Sequence, residues 1–253
     1  MNVALLLAGS AGLGISSDVP KQYIRVNRKM LITYSLETLT ASSHIDEIQI
    51  VAEHEWREYI IADCKEHGIN TDKIKGFAIP GFNRQASILN GLQNILREKN
   101  GQVDINNIEE DDNVLIHDAS RPLITTRQID DCFGKMSDGY DGVIPVLFRE
   151  NAFCVGDTEN NVSERIYGKI SERQTPELFH LKKYYQANME LMPDKLKKIR
   201  NSVEPAIIAG MNLSVVLGDK SSFEVITQED LDRFISIFKP SSSSPNPDKN
   251  WHK

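Results

Sequence analysis

Apolar positions along this chain follow two alternating rhythms. Short continuous runs at Val3 to Leu7, Val114 to Ile116 and Val143 to Phe148 predict buried strands. Glu47 to Val51 alternates before turning apolar and predicts another. Phe77 to Ile79 predicts a short one, bounded by Gly76 before it and Pro80-Gly81 after it. Between the strands, apolar residues recur at helical spacing. They fall at positions 31, 32, 36 and 39, then at Trp56, Ile60 and Cys64, with Gly68 and Asn70 as the stop. Asn83 to Arg97 predicts an amphipathic helix with Ile88, Leu89, Leu92, Ile95 and Leu96 inward. Thr125 or Thr126 is placed to cap a helix that buries Ile129, Cys132, Phe133 and Met136.

The second half is less regular. Pro145 inside an apolar strand predicts a bulge or an edge position. Residues 149–172 break the rhythm. Two candidate strands, Ala152 to Val155 and Arg165 to Ile170, flank a polar turn and predict a projecting hairpin arm. A helix is expected over Leu178 to Met192, strands over Leu213 to Leu217 and Phe223 to Ile226, and a closing helix over Gln228 to Phe238. Residues 98–112 are polar without periodicity and read as a solvated loop. From Lys239 the composition shifts to Pro, Ser, Asn and Lys, so one domain over 1–239 and a disordered tail over 240–253 are expected.

Strands alternating with helices imply an α/β fold, a largely parallel sheet with helices on both faces. Ligands bind such sheets beyond the carboxyl ends of the strands. Three polar clusters fall at such ends: Gly9 to Lys21, Gly81 to Ser87 and His117 to Arg121. The first is a strand running into a loop with Gly9, Gly12 and Gly14, which brings backbone N–H groups close to phosphates, and Lys21 adds a positive charge.

Composition narrows the function classes. The 253 residues are enough for a substantial core, and 40% hydrophobic with 26% charged content is that of an ordinary globular chain. The net charge of -7, from 29 Lys+Arg against 36 Asp+Glu, argues against nucleic-acid binding but leaves room for a small phosphate site. Cys64, Cys132 and Cys154 are widely spaced, lack metal-ligand spacing and read as reduced packing residues. No apolar stretch approaches the roughly 20 residues of a membrane span, and no secretory leader is evident, so a cytoplasmic location is expected.

Five segments carry a resemblance: LAG…G…PKQY at 7–23, GFNRQAS at 81–87, HDASRP at 117–122, QTPELF at 174–179 and FEVITQEDL at 223–231. With them, residues 2–238 resemble the 2-C-methyl-D-erythritol 4-phosphate cytidylyltransferase family, which includes ribitol-5-phosphate cytidylyltransferases. The resemblance implies a Rossmann-like nucleotidyltransferase fold, a homodimer formed through the β-arm, and a Mg²⁺-dependent attack of a polyol phosphate on CTP that releases pyrophosphate. It implies that Ala8, Gly9 and Gly12 lie at the nucleotide, that Gly81 and Ser87 contact base and ribose, and that Lys21 contacts phosphates. Asp118 is implied on the acceptor or metal side, Arg121 beside it, and Arg165 as an arm residue reaching the partner's substrate.

The chain also departs from the family pattern. Gly14 stands where the loop arginine is expected, and Glu224 where a lysine is expected. Ser202-Val203 aligns with a Thr-Asp segment, and Pro80-Gly81 followed by Phe82 stands where a Gly pair followed by an acidic residue is often expected. Uncompensated, the lost cations would cost several kcal/mol of transition-state stabilisation, on the scale of about 2.7–4 kcal/mol for one oxyanion donor. Lys220 is the candidate replacement. An alternative reading is therefore a catalytically impaired member that binds nucleotide, sugar phosphate or a partner. Plainer roles also stand beside the catalytic ones: a surface position for Lys21, a cap for Asp118, an Asp118–Arg121 pair, and strand-end packing for His117.

Overall fold

The apolar run at the start of the chain becomes an interior strand, because a strand covered on both faces does not need alternation. The computed structural model describes residues 1–9, 15, 19–97, 103–106, 108–149, 153–155, 164–166 and 170–239, with the backbone alone at 149, 153–155, 164–166 and 170. In chain order the first half contains β1 (Asn2–Leu7), β2 (Arg25–Val26), β3 (Lys29–Met30), α1 (Leu31–Ala41), β4 (Glu47–Val51), α2 (Arg57–Glu66), β5 (Ile74–Ala78), α3 (Arg84–Ile95), β6 (Asn113–Asp118) and α4 (Thr126–Met136). The second half contains β7 (Gly142–Arg149), β8 (Phe153–Val155), β9 (Glu164–Ile166), β10 (Ile170–Arg173), β11 (Glu177–His180), α5 (Leu181–Met189), α6 (Glu204–Ile208), β12 (Leu213–Leu217) and α7 (Gln228–Ile237).

The main sheet has eight strands and is mostly parallel. β5, β4, β1 and β6 are neighbours and all parallel. Beyond β6 the direction reverses. β11 is antiparallel to β6 and to the start of β7, β10 is antiparallel to the rest of β7, and β12 runs parallel to β7. Successive side chains of β1 show how both faces are filled. Ala4 and Leu6 join Leu36, Ile60 and Ile129 from α1, α2 and α4, whereas Leu5 joins Leu92 and Tyr184 from α3 and α5. A third cluster, with Leu31, Val225, Leu231 and Phe234, seats α7 on α1.

Several expectations are corrected by tertiary pairing. Pro145 is not on an edge strand, because β7 is paired on β12 and on β10 and β11. The proline falls between Val143, the last residue paired to β11, and Val146, the first paired to β10, so its missing N–H coincides with the change of partner. The helix expected from Leu178 begins at Leu181, because Leu178 and Phe179 pair with Leu115 and Val114. Residues 223–226 form no strand. The arm's second strand is shorter than expected: Glu164–Ile166 pairs with Phe153–Val155, whereas Ile170 already belongs to the main sheet. Thr125 supplies the α4 cap, in a reciprocal box with Gln128. The tail over 240–253 and most of the 98–107 stretch lie outside the described residues. Cys64 and Cys132 are buried free thiols, and burial pushes each up to about 12. Among the described residues no helix is long and apolar enough to cross a membrane.

Candidate active site

The turn after β1 is held by the Pro20–Tyr23 segment. Gln22 Nε2 and Tyr23 Oη both donate to the Ala8 carbonyl, at 2.6 and 2.8 Å, and the Ala8 N–H donates to Val51 O at 2.8 Å. Tyr23 stacks on Trp56 with ring centroids 4.2 Å apart. Ala8 is thus a strut whose backbone groups are already used, and it does not line the cleft, whereas Gly9 does. A Cβ at Gly9 would come within 2.5 Å of the Pro80 ring, and one at Gly81 within 2.6 Å of the Ala86 backbone. The β1 loop closes on Pro80, and Gly81 lies against the first turn of α3, which is why both positions need glycine. The Gly81 N–H donates to Ser87 Oγ at 2.9 Å, and Asn83 caps α3 by accepting from Ala86 N at 2.7 Å.

A cleft of about 570 Å³ opens at the carboxyl ends of β1 and β6. Gly9, Lys21, Gly81, Ser87, Asp118 and Arg121 all line it, together with Arg84, Arg173 and Glu224. Lys21 is buried, and its Nζ lies 3.1 Å from Glu224 Oε1. Arg121 Nη2 donates to Glu224 Oε2 at 3.3 Å, and Ser120 Oγ donates to Glu224 Oε1 at 3.0 Å. Glu224, where a lysine was expected, thus bridges two of the cleft's cations through its carboxylate. Asp118 is paired instead with Arg84, whose Nη2 donates to it at 2.8 Å. Burial alone would raise the Asp118 carboxyl, but the Arg84 and Arg121 charges outweigh it and hold the group below the usual carboxylate range. Burial likewise works against the Arg84 charge, and Asp118 and Glu177 together overcome it. Arg84 Nη1 and Arg121 Nε are buried without a hydrogen-bond partner among the described residues, so both guanidiniums keep an unspent donor.

The Gln174–Phe179 segment ties the site together. Gln174 Nε2 donates to Asp219 O at 2.9 Å, and Asp219 N returns a bond to Gln174 Oε1 at 2.9 Å, fixing the stretch that leads to Glu224. Thr175 Oγ1 accepts from Asp118 N at 3.2 Å and lies 3.1 Å from His117 Nδ1. His117 Nε2 is 3.0 Å from the Arg121 carbonyl. A carbonyl only accepts, so Nε2 carries the proton and Nδ1 accepts from the Thr175 hydroxyl. Burial pushes the imidazole down to about 4, so His117 is a neutral linker between β6 and the Arg121 turn. Glu177, fully buried, ion-pairs with Arg173 and accepts a hydrogen bond from Ser202 Oγ. The carboxylate that faces Ser202 thus comes from β11.

The remaining expectations fall elsewhere. Gly12 and Gly14 lie outside the described residues. Arg165 sits in β9 opposite Cys154, and its side chain lies outside the description. Lys220 is exposed and does not line the cleft, so Lys220 is not the replacement cation there. Arg84, Arg173 and Glu177 were missed by sequence reasoning. Arg84 lies within GFNRQAS as the first residue of an Asn-capped helix at a strand's carboxyl end, and that position was a readable signal. Arg173 and Glu177 meet across the Gln174–Pro176 break between β10 and β11, which no periodicity marks. Among the described residues no group of three or more His, Cys, Asp or Glu could hold a metal by itself.

Comparison with known proteins places this geometry. The model of the 2-C-methyl-D-erythritol 4-phosphate cytidylyltransferase family matches residues 2–239. The enzyme of that name from Thermosipho melanesiensis is 30% identical over 237 residues, covering 91% of this chain and 95% of its own length. Ribitol-5-phosphate cytidylyltransferase from Lacticaseibacillus paracasei is 27% identical over 237 residues, covering 92% of this chain and 96% of its own. The crystal structure of the Francisella tularensis 2-C-methyl-D-erythritol 4-phosphate cytidylyltransferase superposes with a TM-score of 0.75 at 23% identity, over 92% of this chain and 97% of that one. A match over almost the whole domain, a shared fold and one cleft gathering segments 7–23, 81–87 and 117–122 make this chain a member of the 2-C-methyl-D-erythritol 4-phosphate cytidylyltransferase family.

Proposed function

We propose that this chain is a cytidylyltransferase that transfers CMP from CTP to a sugar-alcohol phosphate. The observation that carries this reading is the cleft that Lys21, Arg84, Arg121 and Arg173 line together with an ionised Asp118, in a chain of this family. An oxygen of the acceptor phosphate attacks the α-phosphorus of CTP. The bond to the bridging oxygen breaks, and pyrophosphate leaves with that electron pair. Both reactants are anions, so positioning and charge screening carry the rate. The narrow Gly9 and Gly81 loops would admit the nucleoside, Lys21 would meet the triphosphate, and Arg84 and Arg121 would hold Asp118 and the acceptor side in place.

Mg²⁺ fits this site. It is commonly held by one or two carboxylates together with substrate phosphates, and Asp118 is a carboxylate kept ionised at the cleft. Asp118 would hold it, and when bound it would supply charge neutralisation at the attacked phosphate. The β8–β9 pair supports a second part of the reading. A two-stranded hairpin is marginal alone, and Phe148, Val215 and Leu217 are exposed on β7 and β12. A second copy pairing through the arm would cover such surface, and equilibrium sedimentation tests for that dimer. A CTP substrate agrees with a cytoplasmic location.

The test of the activity is pyrophosphate release with CTP, Mg²⁺ and either ribitol 5-phosphate or 2-C-methyl-D-erythritol 4-phosphate. Release that depends on both CTP and an acceptor is expected. Nucleotide binding without release for any acceptor would sink the reading.

A further inference from the structure

The charges of the cleft are balanced in two different ways. Lys21 and Arg121 share Glu224, and Arg84 pairs with Asp118, and both carboxylates line the cleft themselves. A ligand phosphate near any of these cations also meets a carboxylate. Arg173 differs. Its counter-ion Glu177 is fully buried and does not line the cleft, while the Arg173 side chain does and is 33% exposed. Nη1 alone holds both fixed partners, Glu177 and Ser202 Oγ, the latter at 3.2 Å. No other donor of the fork has a partner among the described residues. A planar guanidinium anchored at one nitrogen with donors to spare suits a phosphate oxygen.

Its place in the sheet gives the ligand. Gly81 follows β5 and Arg173 ends β10, on opposite sides of β1 and β6. With the nucleoside at Gly9 and Gly81, Arg173 falls on the acceptor side, beyond Asp118. We infer that Arg173 binds the phosphate monoester of the acceptor, through oxygens that do not attack, and that Glu177 is its positioning residue. This rests on the cytidylyltransferase reading. The role follows from charge: an acceptor dianion must approach a triphosphate, and Arg173 is the cleft cation whose counter-ion stands behind it.

Removing Arg173 alone would leave Glu177 as an unpaired buried charge and endanger folding. The test therefore uses Arg173→Ala combined with Glu177→Gln, alongside Arg173→Lys. In steady-state assays with CTP and ribitol 5-phosphate, the double variant should raise KM for the acceptor at least about tenfold and leave KM for CTP within about twofold. Arg173→Lys should recover part of that loss. An equal rise in both KM values, or a lowered melting temperature with both KM values unchanged, overturns the proposal. Calorimetry separates this inference from the activity itself. Ribitol 5-phosphate, 2-C-methyl-D-erythritol 4-phosphate, glycerol 3-phosphate and unphosphorylated ribitol are titrated with a non-hydrolysable CTP analogue present. If pyrophosphate release fails, the activity reading falls, yet binding of one of the phosphates but not ribitol, lost in the double variant, still upholds the role of Arg173. Binding that is equal in wild type and double variant, or absent for all three phosphates in the wild type, overturns it.

Discussion

Asp118 and Glu224 are both carboxylates of the same cleft and both meet an arginine, yet the fold holds them by different means. Asp118 ends a sheet strand. Its backbone N–H is taken by Thr175, its carbonyl accepts from Arg121 N at 2.9 Å, and Arg84 fixes its side chain. Glu224 lies outside any strand, in the segment between β12 and α7. Its neighbour Val225 is buried under α7, and Val225 N donates to Ser120 O at 2.8 Å. The first carboxylate is built into the sheet with a cation of its own. The second is laid across Lys21 and Arg121 from a connecting segment. Both keep buried cations compensated, and Asp118 alone does so without occupying the pair that an incoming phosphate would use.

Four experiments would sharpen or break that contrast. The largest effect is expected for Asp118→Asn, which removes the carboxylate proposed to hold the metal and takes from Arg84 its hydrogen-bonded counter-ion. Activity with CTP, Mg²⁺ and acceptor should fall by about a hundredfold or more. Retained activity would mean that Glu224, or neither carboxylate, does the work assigned to Asp118.

The second effect concerns stability against pH. The folded chain keeps His117 neutral down to about 4, while the unfolded chain takes up a proton near 6.5. Between those values the unfolded state binds more protons, so stability falls as pH drops through that window, by about 3 kcal/mol in all. The contribution of Asp118 has its own window: its folded value is depressed, so its stabilisation is lost only as pH falls below the ordinary carboxylate range. Urea midpoints measured from pH 7 to pH 4.5 should show the decline, flattened in His117→Gln. An unchanged slope in that variant would remove His117 as the cause.

Thr175→Val should come next. It strips the hydroxyl that joins Asp118 N to His117 Nδ1 and should cost about 1–3 kcal/mol in chemical denaturation. The smallest effect is expected for Glu224→Gln, and of opposite sign. Freeing Lys21 and Arg121 should tighten CTP binding by about threefold to tenfold, worth about 1 kcal/mol. Weaker nucleotide binding in Glu224→Gln would show that Glu224 contacts substrate or metal directly, and the contrast with Asp118 would collapse.

The two carboxylates also mark how far sequence reading reaches. Asp118 was legible because HDASRP follows a buried strand, and a polar cluster at a strand's carboxyl end marks a ligand site. PKQY was legible as a motif, but its work was not: Gln22 and Tyr23 hold the Ala8 carbonyl, which only folding brings within reach. Glu224 was legible as a reversed charge, while its bridge between Lys21 and Arg121 spans 203 and 103 residues of chain. Arg84 could have been read from its place at the start of a capped helix. Arg173 could not, since its meaning depends on a buried Glu177 behind it.

The amino-acid order by itself determined the strand–helix alternation, the parallel half of the sheet and the three loops that meet at its carboxyl ends, because local apolar periodicity and turn residues act over short distances. The tertiary structure decided the rest. It set the antiparallel return of β10 and β11 and the interior position of Pro145, because strand pairing is a choice among distant partners. It also decided which cation each carboxylate faces, since those ion pairs join segments far apart along the chain.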